Sequence, residues 1–368
     1  MANTGISQHP SIMAPPGTWL RLLWENGGVA PAYWGKVARI LLVTTLASPL
    51  RLAEWLGYGR QVAQTKIDKQ PVFILGFARS GTTHLHNLLQ HDPRYGVVST
   101  FQTVVPTFFL IGRGWLKRQM AKSLPATRPM DNVQVSLDAP MEEEVAVSNT
   151  CALSLYHHLS FPQRARGYWD KYLPMQGLTP QELARWERVY LDILRKATLD
   201  NGGRPLVLKS PNNTGRIPHL LRLFPEAKFI HIVRNPYVVY QSMRHMYQAT
   251  LPLFQLQKMS VEDMEEHILS SYKMTMQHYL HDRALIPKGN LAEVRYEDLE
   301  QQPLVELERL YAELALPGWE EAKGPIRDYL HTLSGYQKNR LELAPAAIER
   351  IKEEWKFALD IWPYQPSA

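Results

Sequence analysis

An α/β fold, a parallel sheet flanked by helices on both faces, is what this sequence predicts, and two observations predict it. Short apolar runs alternate with segments of helical spacing along much of the chain, and a glycine-containing turn joins the first of these runs to a helix. Alternation of this kind builds parallel strands, because each helix carries the chain back across the sheet and covers one of its faces.

Residues 71–75 (PVFIL) read as the first strand and 82–90 as the helix after it. Residues 206–208 (LVL) read as a second strand, followed by a helix at 217–224. Residues 228–233 (KFIHIV) form the third, and Pro236 opens the next helix at a position where a missing N–H costs nothing. Residues 291–296 form the fourth, with a helix at 304–314. The stretches 97–201 and 249–287 are expected to be helical or irregular insertions, and 345–359 a final helix.

Ahead of the first strand, residues 19–58 carry Leu20, Leu23, Trp24, Val37, Ile40 and Leu41 at helical spacing. Two readings of this segment stand side by side. It packs on the main domain as a helical cap, or it touches a membrane surface or a lipid, since Trp, Tyr and Arg interleave with Leu. The division expected is an N-terminal helical segment at 1–70 packing on a core domain at 71–368.

The 368 residues suffice for one large domain, and 45% apolar with 21% charged is an ordinary globular balance. A net charge of +6 fits an anionic ligand, a nucleic acid or an acidic membrane, and alone chooses none of them. The basic residues are spread out, with no Lys/Arg arm and no zinc-finger spacing, so nucleic acid is not expected as a partner. The single cysteine, Cys151, permits no intrachain disulfide. Residues 1–18 are polar and lack the basic start and apolar stretch of a signal peptide. The longest uncharged apolar run lies between Arg39 and Arg51, too short to span a bilayer and interrupted by Pro49. The expected location is cytoplasmic.

The turn Gly76-Phe77-Ala78-Arg79-Ser80-Gly81-Thr82-Thr83 sits between a strand and a helix. Successive backbone N–H groups in such a turn converge on an anion, and the helix start adds partial positive charge. An NTP-binding loop carries Lys directly after its second Gly. Here Thr82 occupies that place and the cation, Arg79, lies two residues before Gly81, which argues against ATP or GTP hydrolysis. A plain Gly turn joining strand to helix is the simpler alternative.

The run Arg79-Ser80-Gly81-Thr82-Thr83, preceded by Phe73-Ile74-Leu75-Gly76 and followed by Leu85-His86-Asn87-Leu88-Leu89, resembles the phosphosulfate loop of the sulfotransferases that use 3'-phosphoadenosine 5'-phosphosulfate, in the bacterial-type branch. The resemblance implies a P-loop-like core in which the loop backbone at Gly81, with Ser80, Thr82 and Thr83, holds the 5'-phosphate. Arg79 would stabilise charge on the bridging oxygen as the sulfuryl group leaves. Ile232-Val233-Arg234-Asn235-Pro236 with Ser242 resembles the family's 3'-phosphate element, where Arg and Ser converge on one phosphate. Tyr336-Gln337-Lys338-Asn339 is similar to a tail motif of the branch, which would put Lys338 near the 3'-phosphate or the acceptor; a solvated loop lysine is the alternative. Tyr296-Glu297-Asp298-Leu299 also resembles the family and is read as mainly structural. His84 stands where the animal enzymes carry an adenine-stacking aromatic residue.

Sulfuryl transfer to an alcohol needs in-line placement, cations and a base for the hydroxyl proton. The branch carries Pro-x-Glu-Asp-Glu where this chain has Pro140-Met141-Glu142-Glu143-Glu144, after the Arg128-to-Asn132 stretch. Successive helical residues turn by about 100°, so these carboxylates diverge. Crowding of like charge raises at least one pKa, which suits a base. Glu142, then Glu144, are the candidates; an acidic helix N-terminus is the alternative. Lys209 matches the family's catalytic lysine and is assigned to transition-state charge. Pro211 and Asn213 stand where relatives place histidine, and His157 or His158 could face the pocket or simply pack. His84, His86 and His91 lack a carboxylate or cysteine at ligand spacing, so no metal is expected.

The donor expected is therefore 3'-phosphoadenosine 5'-phosphosulfate, leaving 3',5'-adenosine bisphosphate. The acceptor is a hydroxyl on a small molecule, phenol, lipid or glycan. Phe108, Phe109, Trp115, Tyr156 and Trp169 suggest a hydrophobic one, though each could equally be core. A P-loop nucleotide kinase or NTPase, and a catalytically silent nucleotide-binding module, are the competing functions. Oligomeric state is not legible.

Overall fold

The computed structural model describes residues 11–124, 127, 135–333 and 343–366. Within these the chain forms two compact units. The first takes the described residues of Met1–Ile67, Val97–Gly203 and Gln248–Ser260; the second takes those of Asp68–Gly96, Arg204–Tyr247 and Val261–Ala368.

The sheet has five strands: β1 (Val72–Leu75), β2 (Gly96–Val97), β3 (Leu206–Lys209), β4 (Lys228–Val233) and β5 (Leu291–Arg295), in the order β2-β3-β1-β4-β5. β1 lies between β3 and β4 and is parallel to both, with Ile74 opposite Lys209 on one side and Ile230 on the other; β5 continues parallel beyond β4. Every residue of β1 and β3 is buried, which is why these strands read as unbroken apolar runs and not as alternation. Phe73 and Phe229 stack across β1 and β4 with ring centroids 5.5 Å apart.

The parallel sheet and its helices are as expected. The four strands lie where the apolar runs were, with Tyr296 passing from the strand end to the first residue of the helix Tyr296–Gln301. β2 was not foreseen. The tail helix breaks at Trp355, which is buried, giving Pro345–Glu354 and Lys356–Ile361.

In the first unit, three helices α1 (Pro16–Glu25), α2 (Trp34–Leu46) and α3 (Ser48–Gln64) account for the N-terminal periodicity. Ala47 and Val62 pack with Phe101, Val105, Phe108, Phe109, Leu110 and Leu137. Phe108 and Phe109 are therefore core side chains. Glu54, buried on α3, accepts from the amide N–H groups of Leu110 and Ile111 at 2.7 and 3.3 Å and pairs with Lys196 at 2.8 Å. Lys196 belongs to the long helix Pro180–Asp200, whose start is closed by a capping box of Thr179 and Glu182. The uncharged run at 39–51 is only part of a longer helical stretch. Pro31–Gln64 is, by length and composition, long and apolar enough to cross a membrane.

Candidate functional site

The second unit gathers its polar machinery at the C-terminal ends of β1, β3 and β4, where open parallel sheets bind ligands. After β1 the backbone takes three left-handed steps, at Gly76 (φ 146°), Arg79 (φ 69°) and Gly81 (φ 94°). Glycine is required at two of them. A Cβ on Gly76 would stand 2.7 Å from the carbonyl oxygen of Ile232, and one on Gly81 would stand 2.1 Å from Cδ2 of Tyr296. Arg79 is one of three non-glycine residues with positive φ among the described residues. Such backbone persists only where its surroundings hold it.

Those surroundings are specific. Gly76 N–H donates to Thr214 Oγ1 at 2.8 Å, and Thr214 Oγ1 donates back to Gly76 O at 3.1 Å. Thr214 sits on the turn Pro211–Gly215 that follows β3. From β4, Arg234 donates Nη1 to Arg79 O at 3.1 Å. From the helix Pro236–Phe254, Ser242 Oγ accepts from Arg79 Nε at 2.9 Å. At the end of β3, Lys209 Nζ donates to Thr83 Oγ1 at 3.2 Å. Ser80 and Thr82 are buried. The loop and the Arg234/Ser242 element, 155 residues apart in sequence at their closest pairing, are thus directly hydrogen-bonded.

Two further residues complete the arrangement, Thr214, which sequence reasoning missed, and Tyr296, which it read as structural. Thr214 closes the loop, but its partner Gly76 is reached only through the β1–β3 pairing, so no local pattern marks it. Tyr296, read as structural, lies under Arg234, whose guanidinium carbon stands 4.2 Å from the ring centroid. The same ring fills the space beside Gly81. Asn235, next to Arg234, is fixed on three sides. Its N–H donates to Glu297 Oε1 at 3.0 Å, its Oδ1 accepts from Tyr237 N–H at 3.0 Å, and its Nδ2 donates to Gln365 O at 2.9 Å.

His86 is buried beneath the loop helix and donates Nε2–H to Val207 O at 3.2 Å. Burial, with help from the Lys209 charge, pushes its pKa down to about 3, so it is a neutral packing residue. Among the described residues no group of three or more His, Cys, Asp or Glu is arranged to hold a metal ion.

The acidic run lies in the first unit. Glu142 precedes the helix Glu143–Ser148, and the three carboxylates turn in different directions. Tyr156 OH donates to Glu142 Oε2, Tyr190 OH to Glu143 Oε1 at 3.3 Å, and Ser154 Oγ and Leu155 N–H to Glu144 Oε1 at 2.7 and 3.0 Å. Burial and the adjacent Glu142 raise the Tyr156 pKa well above its ordinary value, so the phenol stays a donor. Glu143 and Glu144 are buried. His157 and His158 are also buried, donating to the carbonyls of Cys151 and Leu155 at 2.9 and 2.8 Å, and burial pushes both pKa values down to about 4. Trp169 is buried while Trp115 is exposed. Lys338 with its neighbours Tyr336 to Asn339, and the Arg128-to-Asn132 stretch, lie outside the described residues.

Fold and loop together define a phosphate-binding α/β protein whose cation precedes the second loop glycine. The model of the sulfotransferase family matches residues 71–321. The chain is 32% identical over 347 residues to omega-hydroxy-beta-dihydromenaquinone-9 sulfotransferase Stf3 of Mycobacterium bovis, covering 94% of this chain and 89% of that one. The protein of the same name from Mycobacterium tuberculosis (strain CDC 1551 / Oshkosh) matches to the same extent. Among solved structures, sulfotransferase STF9 from Mycobacterium avium superposes with a TM-score of 0.68 at 16% identity, covering 96% of this chain and 97% of that one. Sulfotransferase STF1 from Mycobacterium tuberculosis H37Rv gives 0.66 at 17% identity, covering 96% and 93%; these two likenesses concern the fold. The chain belongs to the sulfotransferase family. It is an enzyme that transfers a sulfuryl group from 3'-phosphoadenosine 5'-phosphosulfate, and the kinase, NTPase and silent-module alternatives fall away. The residues present suit that donor: a left-handed loop closed by glycines, hydroxyls at a helix start and three cations at adjacent strand ends.

Proposed function

We propose that the acceptor is the hydroxyl of a hydrophobic, lipid-like alcohol, and that the two phosphate elements hold the donor as follows. The loop backbone through Gly81, with Ser80, Thr82 and Thr83, holds the 5'-phosphate, and Arg234 with Ser242 holds the 3'-phosphate. Lys338, which lies outside the described residues, is assigned by the family's tail motif to the 3'-phosphate or the acceptor. Arg79 and Lys209 stabilise the charge that gathers on the phosphate oxygen as its bond to sulfur breaks.

The observation that carries this reading is the direct hydrogen bond from Arg79 to Ser242. A hydroxyl that accepts from a cation keeps its own hydrogen to donate onward. In this reading Ser242, which accepts from Arg79, donates to one phosphate, and Thr83, which accepts from Lys209, donates to the other. Cation, hydroxyl and phosphate then form a chain in which each hydrogen bond is charge-assisted.

The acceptor oxygen gives up its proton as its bond to sulfur forms, and Glu142 takes it, held by Tyr156. Glu144 fastens Ser154 and Leu155, which makes Glu142 the better base of the two. The lipid-like acceptor is supported by a relative, identical at 32% of positions, that is named for a hydroxylated dihydromenaquinone. An alcohol of that kind resides in a bilayer, which gives the enzyme a cytoplasmic, membrane-peripheral place of work. An acceptor screen with radiolabelled donor, spanning polyisoprenoid alcohols, sterols, phenols and sugars, tests it. Transfer to long-chain or isoprenoid alcohols is expected; transfer confined to sugars overturns it.

A further inference from the structure

The apolar residues on the outside of this molecule are unevenly placed. Of thirteen large apolar side chains exposed among the described residues, eight lie between Leu20 and Leu56, on α1, α2 and α3. Trp24 is 88% exposed, Leu46 69%, Trp55 69% and Leu56 70%. A soluble helix buries its apolar row and turns polar residues outward. Here large apolar side chains stand on the outward side of the helices. α2 buries Val37, Ile40 and Thr44, and turns outward Trp34, Leu42 and Leu46, which recur every four residues apart from the alanine at 38. α3 buries Glu54 and Val62 and turns outward Leu52, Trp55 and Leu56.

The charges of this stretch are one-sided. From Pro31 to Gln64 the charged residues are Lys36, Arg39, Arg51, Arg60 and Glu54. The sole acid of α2 and α3, Glu54, is buried and paired with Lys196, and the one acid of α1, Glu25, is paired with Arg21 at 2.7 Å. Arg39 and Arg60 are exposed, while Lys36 and Arg51 are half-buried and donate to the carbonyls of Leu253 and of Met13 and Thr44. Exposed Leu and Trp bordered by arginine is the composition of a helix that lies in the headgroup region of an anionic bilayer, with Trp at the boundary.

The stretch is long and apolar enough to cross a membrane, but its contacts rule that use out in the folded chain. A spanning helix would have to carry Glu54 and the Lys196 pair into hydrocarbon, and would strip Val37, Ile40 and Val62 from their packing.

We propose that α1–α3 form a docking face for an anionic lipid bilayer, lying on its surface and not across it. The proposal deepens the reading of a membrane-borne acceptor and rests on it for its purpose. Its test needs neither donor nor acceptor, so the two can fail separately. The full chain is floated on a density gradient with vesicles of phosphatidylcholine alone or of phosphatidylcholine with phosphatidylglycerol. A Leu46→Gln/Trp55→Gln/Leu56→Gln variant is run beside it. All three side chains are exposed and glutamine is a good helix former, so an unchanged melting temperature certifies the variant's fold.

The expected result is flotation with the anionic vesicles, weakened at high salt, and a loss of at least about fivefold in the bound fraction for the variant. Two outcomes overturn the proposal. One is a chain that stays at the bottom of the gradient with both vesicle types. The other is a chain that runs as a dimer, split by the triple substitution and indifferent to vesicles, in which case a second copy covers the face.

Discussion

Arg234 lies with its guanidinium carbon 4.2 Å above the ring of Tyr296, while the same ring occupies the space a Cβ on Gly81 would need. One aromatic side chain from the end of β5 thus braces both the arginine after β4 and the loop after β1. A cation over a tyrosine face is worth about 0.5–1 kcal/mol when exposed and about 2 when desolvated. Tyr296→Leu is therefore expected to weaken 3',5'-adenosine bisphosphate binding several-fold by calorimetry, with Tyr296→Phe within about twofold of wild type. Equal affinities for all three proteins would remove Tyr296 from the account.

The same contact makes Gly81 irreplaceable. Alanine there meets Tyr296 and must also hold φ near 94°. Gly81→Ala is expected to abolish measurable bisphosphate binding and to lower the melting temperature. Adding Tyr296→Ala should restore part of the stability and little of the binding, because the clash is relieved and the backbone strain is not. Full recovery in the double variant would show that sterics alone set the requirement.

Glu142 and Glu144 should separate cleanly. Removing a general base costs about 10²–10⁴ in rate. Glu142→Gln is expected to lower kcat by that order with bisphosphate affinity unchanged. Glu144→Gln should act mainly on stability, since its carboxylate holds Ser154 and Leu155 in a buried setting, where each charge-assisted bond is worth about 1.5–3 kcal/mol. Thermal melts and initial rates on both variants distinguish the roles; wild-type turnover in Glu142→Gln would move the base elsewhere.

Stability should fall on mild acidification. His86, His157 and His158 are buried with pKa values of about 3, 4 and 4, below the ordinary 6.5 of an unfolded chain. Between those limits the unfolded chain binds more protons, so stability is present at neutral pH and is lost as pH drops through 6.5. The loss is roughly 1 kcal/mol for each histidine between about pH 6.5 and 5.5. A melting temperature that is flat across this range would contradict the buried, neutral placement.

The strands that flank the site were legible because a parallel strand buried on both faces is an unbroken apolar run, as β1 and β3 are. The two strand–turn–helix junctions at 76–83 and 234–242 were legible for a related reason: each is a strand end followed at once by glycine, arginine or proline and a helix. What stayed hidden depends on partners distant in sequence. Thr214 is marked only by Gly76, 138 residues earlier. The bracing role of Tyr296 exists only because β5 lies beside β4. β2 has two residues and no periodicity to detect. The long apolar stretch at 31–64 was underestimated because its charges, Arg39 and Arg51, interrupt the run in sequence while each lies inside a helix, α2 and α3.

The proposed division of labour is that Arg234 reads the 3'-phosphate while the loop holds the 5'-phosphate. Its most direct test is a pair of dissociation constants, for 3',5'-adenosine bisphosphate and adenosine 5'-monophosphate, measured on wild type and on Arg234→Ala. Wild type is expected to prefer the bisphosphate by at least about tenfold, the worth of a charge-assisted phosphate contact. Arg234→Ala is expected to erase the preference, and to weaken the monophosphate by no more than the few-fold that the lost bond to Arg79 O costs the loop. A preference that survives the substitution would contradict it.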